Sequence, residues 1–518
     1  MLASSFVAYL LALILIGAFT YRLTKSLEDF VIAGRKLGAW VTAISAQASD
    51  MSGWLLLGVP GKAYTQGFGA FWAIIGSIVG IFFNWTVLAK RLRRYTEKLS
   101  AITLPDFFEA RFRDEDKKHI RVLSGVIIIV FLMFYVSAQF VASGKALDAT
   151  FDIGYANAIL IGAAVIVFYT MMGGFFAVAY TDLFQGLLMV TMLLILPIVG
   201  LFNLGGFGEL LKHMHAKNPG FLDFTSGEVG LAAFALIAGH FAIGLGYPGQ
   251  PHIITRFMAI KDPRRLRQST LIAMIWVILA GYGALFVGVT GLGILGPDLK
   301  DPETVTVNMA MALMPAWLAG LMIAAIMAAI MSTADSQLLV ATSAIAQDFY
   351  RKMFKKDASQ KTLLIISRVG TLCIAAIALL FALNQDPLAE GGIVFGFVLY
   401  AWGGLAASFG PLLILSLYWK RVTKAGAITG MIVGTATIVV WYNVQVLKDM
   451  IYELVPGFFL SLIAVVVVSL LTKPPEGIAD ELEEIKPPSR GRRSASVLTS
   501  QAERALLHWR QMREPAEG

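Results

Sequence analysis

Apolar stretches long enough to cross a bilayer recur about thirteen times along the chain, with cores near 4–21, 39–61, 67–89, 123–144, 155–174, 183–204, 231–255, 270–294, 311–345, 363–383, 391–418, 425–446 and 452–472. The segments between them are short. The widest, about 205–230 and 295–310, carry turn residues such as Gly205-Gly206 and Asn218-Pro219-Gly220 and read as loops. The pattern predicts an all-α polytopic membrane protein, with residues 1–472 as one transmembrane domain and 473–518 as a tail. The first stretch lacks a small-residue cleavage site and leads into Arg22 and Lys25, so it reads as a retained helix.

Two stretches are interrupted. In Ala48-Ser49-Asp50-Met51-Ser52-Gly53-Trp54, followed by Pro60, a carboxylate sits in an apolar run. An ionised side chain at membrane depth costs about 2.5–3.5 kcal/mol on insertion scales, so Asp50 is expected to face protein or a water-filled cavity and to serve a purpose there. In Gly244-Leu245-Gly246-Tyr247-Pro248-Gly249-Gln250-Pro251-His252 the glycines and prolines remove donors and favour non-helical dihedrals. The two breaks open blocks of five stretches, roughly 39–204 and 231–418, and an odd number of crossings inverts one block relative to the other. Transporters with inverted repeats carry their substrate and ion sites at such breaks.

The ninth stretch supplies a complementary stripe. Ala329, Ser332, Thr333 and Ser336 are spaced i, i+3, i+4, i+7 and share a helix face. Hydroxyls there bond either to their own helix or a neighbour, or act as hard oxygen ligands for a cation beside the free carbonyls of a break.

Composition narrows the function class. With 57% hydrophobic and 15% charged residues in 518, the chain is not a soluble protein. Its net charge of +8 follows the positive-inside rule if the N-terminus is outside: of 42 Lys and Arg, only Lys62, Lys145, Lys212, Lys217, Lys300 and Lys448 then fall outside. No nucleic-acid partner is needed to explain the charge, and no obligate protein partner is inferred. The expected location is the cell (inner) membrane, with the tail in the cytoplasm. The lone Cys373 lies in an apolar run, which excludes an internal disulfide and suggests packing. No HExxH, GxSxG, Walker or GxGxxG context occurs, so the chain is not read as an enzyme; His252 is expected to be a structural donor. The tail has a Pro-rich acidic linker and an amphipathic candidate near 496–513, suited to a membrane surface, a partner or solvent.

The strings around Asp50, Gly244-Leu245-Gly246-Tyr247 with Gly249-Gln250-Pro251-His252, and Met331-Ser332-Thr333 with Gln337-Leu338-Leu339-Val340 resemble the sodium:solute symporter family, in its sodium/proline branch, from about residue 5 to 472. The resemblance implies a LeuT-type inverted-repeat fold and sodium-driven alternating access, importing a small amino acid, foremost L-proline. It implies a sodium site formed by the carbonyls of Ala48, Met51 and Ala329 with the hydroxyls of Ser332 and Thr333. Asp50 would serve coupling. Ser52, Gly53, Trp54, Tyr135, Ile243, Tyr247 and Pro251 would line the substrate pocket, with helix-end amides suited to a carboxylate. Asp182, Asp335 and Ser336 are candidates for a second sodium, with Asp182 as a plain helix N-cap the other reading. Ile243 and Pro248 stand where that branch carries aromatic residues, which opens the pocket to another small zwitterion. Proton coupling and a membrane sensor are the remaining alternatives.

Overall fold

The computed structural model describes residues 1–21, 26–172, 174–388 and 392–486; the tail segment near 496–513 lies outside them. Met1–Pro475 form one compact unit, and in the second unit the described residues include a short helix, Ile478–Glu484. Among the described residues, each of the thirteen apolar stretches contains a helix. Among the described residues, ten helical runs are long and apolar enough to cross a membrane, and Leu2–Gly17 and Tyr155–Met171 are shorter apolar helices.

One of the ten runs, Ala39–Lys98, has 60 residues. At 1.5 Å per residue it would measure about 90 Å if straight, three times a hydrocarbon core. It is instead a hairpin: Arg35, just before it, donates to the carbonyl of Thr96 near its far end at 3.1 Å. The bend is the 3-10 turn Gly67–Ala70, where Gly67 has φ 59° and a Cβ would lie 2.3 Å from the Phe221 carbonyl oxygen. Only glycine fits both constraints.

The widest connections are more ordered than turn residues alone predict. The 205–230 segment contains the helix Phe207–Lys217, which buries Leu210 and Met214, four apart, on one face. The 295–310 segment contains the start of Val305–Leu313, with Val305, Val307, Met309 and Ala310 fully buried. Both are too short or too polar to register as spans.

At the centre lies Ala316–Ser343, started by the extended Pro315 and buried continuously from Met322 to Leu339. Around it, peripheral helices turn apolar side chains outward: Leu15, Phe202, Leu231 and Leu471 are each over 70% exposed. Such faces suit lipid rather than water. Cys373 belongs to this outward set and is exposed, which corrects the packing role expected for it.

Several arginines turn inward instead of lying on the surface. Arg121, 1% exposed, donates to Asp106 at 2.7 Å and also pairs with Glu109 and Asp348. Arg93 donates to the Ile260 carbonyl at 2.8 Å, and Arg35 donates to those of Met258 and Ala101 at 2.9 and 2.7 Å. Leu37 forms a parallel bridge with Ile260. The Arg35 bond to Met258 and the Leu37 bridge to Ile260 tie the entry of the first broken helix to the exit of the second.

Candidate functional site

The first break is local in sequence and sharp in structure. Ala39–Gly53 is helical up to Ser52, which has φ 40° and ψ −174°, and the chain continues through a wide π turn, Trp54–Gly58, into Val59–Gln66. A positive φ at a non-glycine residue is strained and persists only where neighbours over-determine it. Here they do. The Trp54 amide donates to Ser52 Oγ at 3.0 Å, and the Gly53 amide donates to Gln139 Oε1 at 3.0 Å. A Cβ on Gly53 would lie 2.7 Å from Ala142 Cβ and 3.3 Å from Ile330 Cγ1, so the break is clamped between His119–Phe151 and the central helix.

The hydroxyl stripe meets this break. Ser332 Oγ donates to the Ala48 carbonyl at 2.8 Å and to Ala329 O at 3.1 Å, and Thr333 Oγ1 donates to Ala48 O at 3.3 Å. Ala48, Ala329, Ser332 and Thr333 therefore present oxygens to one small, fully buried volume. Each hydroxyl donates one proton and keeps two lone pairs, so it can also offer oxygen to a cation placed there. Met51 lies nearly one turn on, and its carbonyl accepts the Trp54 amide.

Asp50 is 5% exposed; the Tyr247 hydroxyl lies beside its carboxyl, and Oδ2 has no partner among the described residues. Tyr135 lies beside the Ser52 side chain. The second break is a 3-10 segment, Ala242–Gly249, ended by the extended Gln250 and restarted by Pro251 at the first position of Pro251–Ala259, where a missing N–H costs nothing. Its freed carbonyls are held by side chains. Trp402 Nε1 donates to Ile243 O at 3.0 Å, Asn84 Nδ2 to Tyr247 O at 2.9 Å and Gln250 Nε2 to Gly246 O at 3.2 Å. Tyr247 packs edge-on against Trp402, ring centroids 4.8 Å apart. Pro251 lines a narrow cavity of about 20 Å³ with Val340 and Ser343. Trp54 stacks on Phe395 at 5.8 Å, and beyond Phe395 lies a larger cavity of about 300 Å³ bordered by Lys62 and Glu303. His252 is edge-on to Tyr135 at 5.8 Å and neither ring nitrogen has a partner among the described residues, which corrects its expected role as a donor.

Asp182 is not a helix cap. It is the eighth residue of Phe175–Asn203 and fully buried. Its Oδ2 accepts from Ser45 at 2.7 Å, Ser49 at 3.0 Å and the Arg256 guanidinium at 3.2 Å. Arg256 also donates to Ser336 Oγ at 2.5 Å, and Ser336 lies 2.9 Å from Ser49 Oγ. Asp182 and Ser336 are thus brought together, with a guanidinium between them that sequence reasoning left among the inside-loop arginines. Asp335 stands apart: it contacts Ser336 at 3.3 Å, and its Oδ2 has no partner among the described residues.

Sequence reasoning missed Arg256, Ser45, Ser49, Gln139 and Trp402. Ser45, Ser49 and Ser52 follow the same i, i+4, i+7 spacing used to find the stripe in the ninth stretch, and Gln139 follows Tyr135 by four. Trp402 left no such signal, since its role depends on Gly246 passing close to it.

The model of the sodium:solute symporter family matches residues 30–434. The high-affinity proline transporter PutP of Bacillus subtilis (strain 168) is 42% identical over 477 residues, 91% of this chain and 98% of that relative. The sodium/proline symporter of Escherichia coli (strain K12) is 39% identical over 501 residues, 94% of this chain and 97% of the relative. Among solved structures, a Na+-coupled sialic acid symporter in a substrate-bound outward-open state is similar with TM-score 0.76 at 20% identity, over 91% of this chain and 98% of that one. A nucleobase-cation-symport-1 family transporter is similar with TM-score 0.53 at 14% identity, over 88% and 98%. At these identities the structures speak for the fold alone, which is the LeuT-type fold. The chain belongs to the sodium:solute symporter family, and is a transporter rather than an enzyme.

Proposed function

We propose that this chain imports L-proline together with Na+ by alternating access. The observation that carries the reading is the convergence of Ser332 and Thr333 on the Ala48 carbonyl across a break in the facing helix. That geometry supports a sodium site of Ala48, Met51, Ala329, Ser332 and Thr333, with Met51 joining as its carbonyl turns from Trp54. Asp50, beside Tyr247, would couple the ion to the pocket of Ser52, Gly53, Trp54, Tyr135, Ile243, Tyr247 and Pro251. Relatives named for proline transport, about 40% identical over nearly the whole chain, support the substrate. The repeats are taken as 39–204 and 231–418, in the inner membrane, with the N-terminus outside, the tail in the cytoplasm and no obligate protein partner.

A second sodium at Asp182, Asp335 and Ser336 has one observation in its favour. Asp182 is paired with Arg256, whereas Asp335, beside Ser336 and fully buried, has a carboxylate oxygen without a partner among the described residues.

The energetics suffice without ATP. A tenfold sodium gradient contributes about 1.4 kcal/mol and a 100 mV potential about 2.3 kcal/mol per charge, together roughly a 500-fold accumulation of a neutral substrate with one ion. The test is uptake and counterflow of labelled proline in proteoliposomes, with and without sodium at fixed pH. Sodium-dependent accumulation is expected; proline transport indifferent to sodium but responsive to a proton gradient would overturn the coupling.

A further inference from the structure

Helix-end amides are the donors expected for the carboxylate of an amino-acid substrate. Those of Gly53 and Trp54 are already bonded within the protein. A different donor stands there. Gln139, fully buried on His119–Phe151, accepts the Gly53 N–H with Oε1. A backbone N–H can only donate, so the carboxamide oxygen must face it and the amino group must face away. That amino group, Nε2, has no acceptor among the described residues.

A buried amide donor left unpaired costs about 1–3 kcal/mol, and such groups mark places where a ligand or water completes the bonding. Nε2 is not alone. Asp50 Oδ2, Trp54 Nε1 and both ring nitrogens of His252 are buried without partners at or beside the same break. Their polarities are sorted. Gln139 Nε2 and Trp54 Nε1 offer only donors, whereas Asp50 Oδ2 offers an acceptor. Tyr135 precedes Gln139 by four residues on one helix face, and it interacts with both Ser52 and Asp50. The donor and the acceptor thus stand on facing helices beside the same break, with Tyr135 next to both. An amino-acid zwitterion, with its carboxylate and ammonium on one carbon, brings the complementary pair: an acceptor for the donors and a cation for the carboxylate.

We propose that Gln139 is the carboxylate-recognising residue of the substrate pocket: Oε1 fixes the Gly53 amide at the break, and Nε2 donates to the carboxylate of the bound amino acid. This rests on the reading of the chain as an importer of proline or a similar zwitterion. One carboxamide then senses both the strained break and the substrate, which places substrate recognition on the same broken helix as Ala48, whose carbonyl faces the hydroxyl stripe.

Gln139→Glu separates the two halves of the role, because it keeps an oxygen for Gly53 and replaces the donor by an acceptor. In proteoliposomes at saturating sodium, the KM for proline is expected to rise about 10- to 100-fold with sodium half-saturation changed less than about threefold. Prolinamide, which brings an N–H of its own, is expected to compete against proline about tenfold better in the variant than in the wild type. Gln139→Met, uncharged and of similar length, guards against misassembly of the Glu variant and is expected to lose the preference for proline over prolinamide. A Gln139→Glu protein with unchanged KM and selectivity would overturn the proposal, because the Gly53 acceptor alone would then suffice. Equal weakening of proline and prolinamide would do the same, pointing to a purely structural or water-filled role. A wild type that fails to accumulate proline overturns the substrate reading and this inference with it; a wild type that accumulates proline beside indifferent variants overturns only the role of Gln139.

Discussion

Arg256→Met removes a guanidinium from a site where both it and Asp182 are fully buried. The variant loses the 3.2 Å ion pair and the bonds to Ser45 at 3.2 Å, Ser336 at 2.5 Å and the His252 carbonyl at 2.5 Å. It leaves Asp182 between two serine hydroxyls without its cation. Methionine preserves most of the stem, so the loss is electrostatic rather than a cavity. Removing one partner of a buried pair costs about 3–5 kcal/mol. An unfolding entropy of about 2.1 cal/mol/K per residue over the unit Met1–Pro475 amounts to about 1 kcal/mol/K, so the unfolding midpoint falls by about 3–5 °C. Helices that persist in the detergent-unfolded chain lower that entropy, which makes the shift a minimum. Adding Asp182→Asn removes the orphaned charge while keeping an oxygen for Ser45 and Ser49, and the double variant is expected to recover at least half of the loss. Thermal unfolding of all four purified proteins, followed by tryptophan fluorescence in one detergent, measures the coupling. An Arg256→Met protein as stable as the wild type, or a double variant destabilised by the sum of the two singles, would refute the argument.

Two further outcomes follow from the same geometry. Ser332→Ala or Thr333→Ala, each removing a hydroxyl aimed at Ala48, should raise the sodium needed for half-maximal uptake about tenfold while shifting the KM for proline much less; Tyr135→Ala should do the reverse. Sodium titrations of uptake at several proline concentrations decide, and identical proportional effects in both classes would merge the two sites. Gly246→Ala places a Cβ 1.7 Å from Trp402 Nε1 and should abolish assembly, whereas Gly246→Ala with Trp402→Ala should restore folded protein without full activity; equal yields of the single variant and the wild type would contradict the packing.

Hydrophobic periodicity carried the architecture because a bilayer demands internally bonded helices of nearly fixed length, so each apolar run of that length is already a structural statement. The same rule made the breaks visible: Asp50, and the glycines and prolines of 244–251, are conspicuous only against an apolar background. The hydroxyl stripe was legible for a similar reason, since spacing alone puts Ser332 and Thr333 on one face. The order in the 205–230 and 295–310 connections was not, because an eleven-residue amphipathic helix leaves a signal no stronger than a loop.

By itself, then, the sequence determined an all-helical membrane chain, two interrupted helices, and a set of oxygens that could meet at one of them. Only the tertiary structure decided who satisfies whom. Arg256 faces Asp182 across 74 positions of chain, Trp402 caps Ile243 across 159, and Gln139 reaches Gly53 across 86. Periodicity is a property of one helix, whereas the satisfaction of a buried charge or a freed carbonyl is a property of the pair that packing brings within 3 Å.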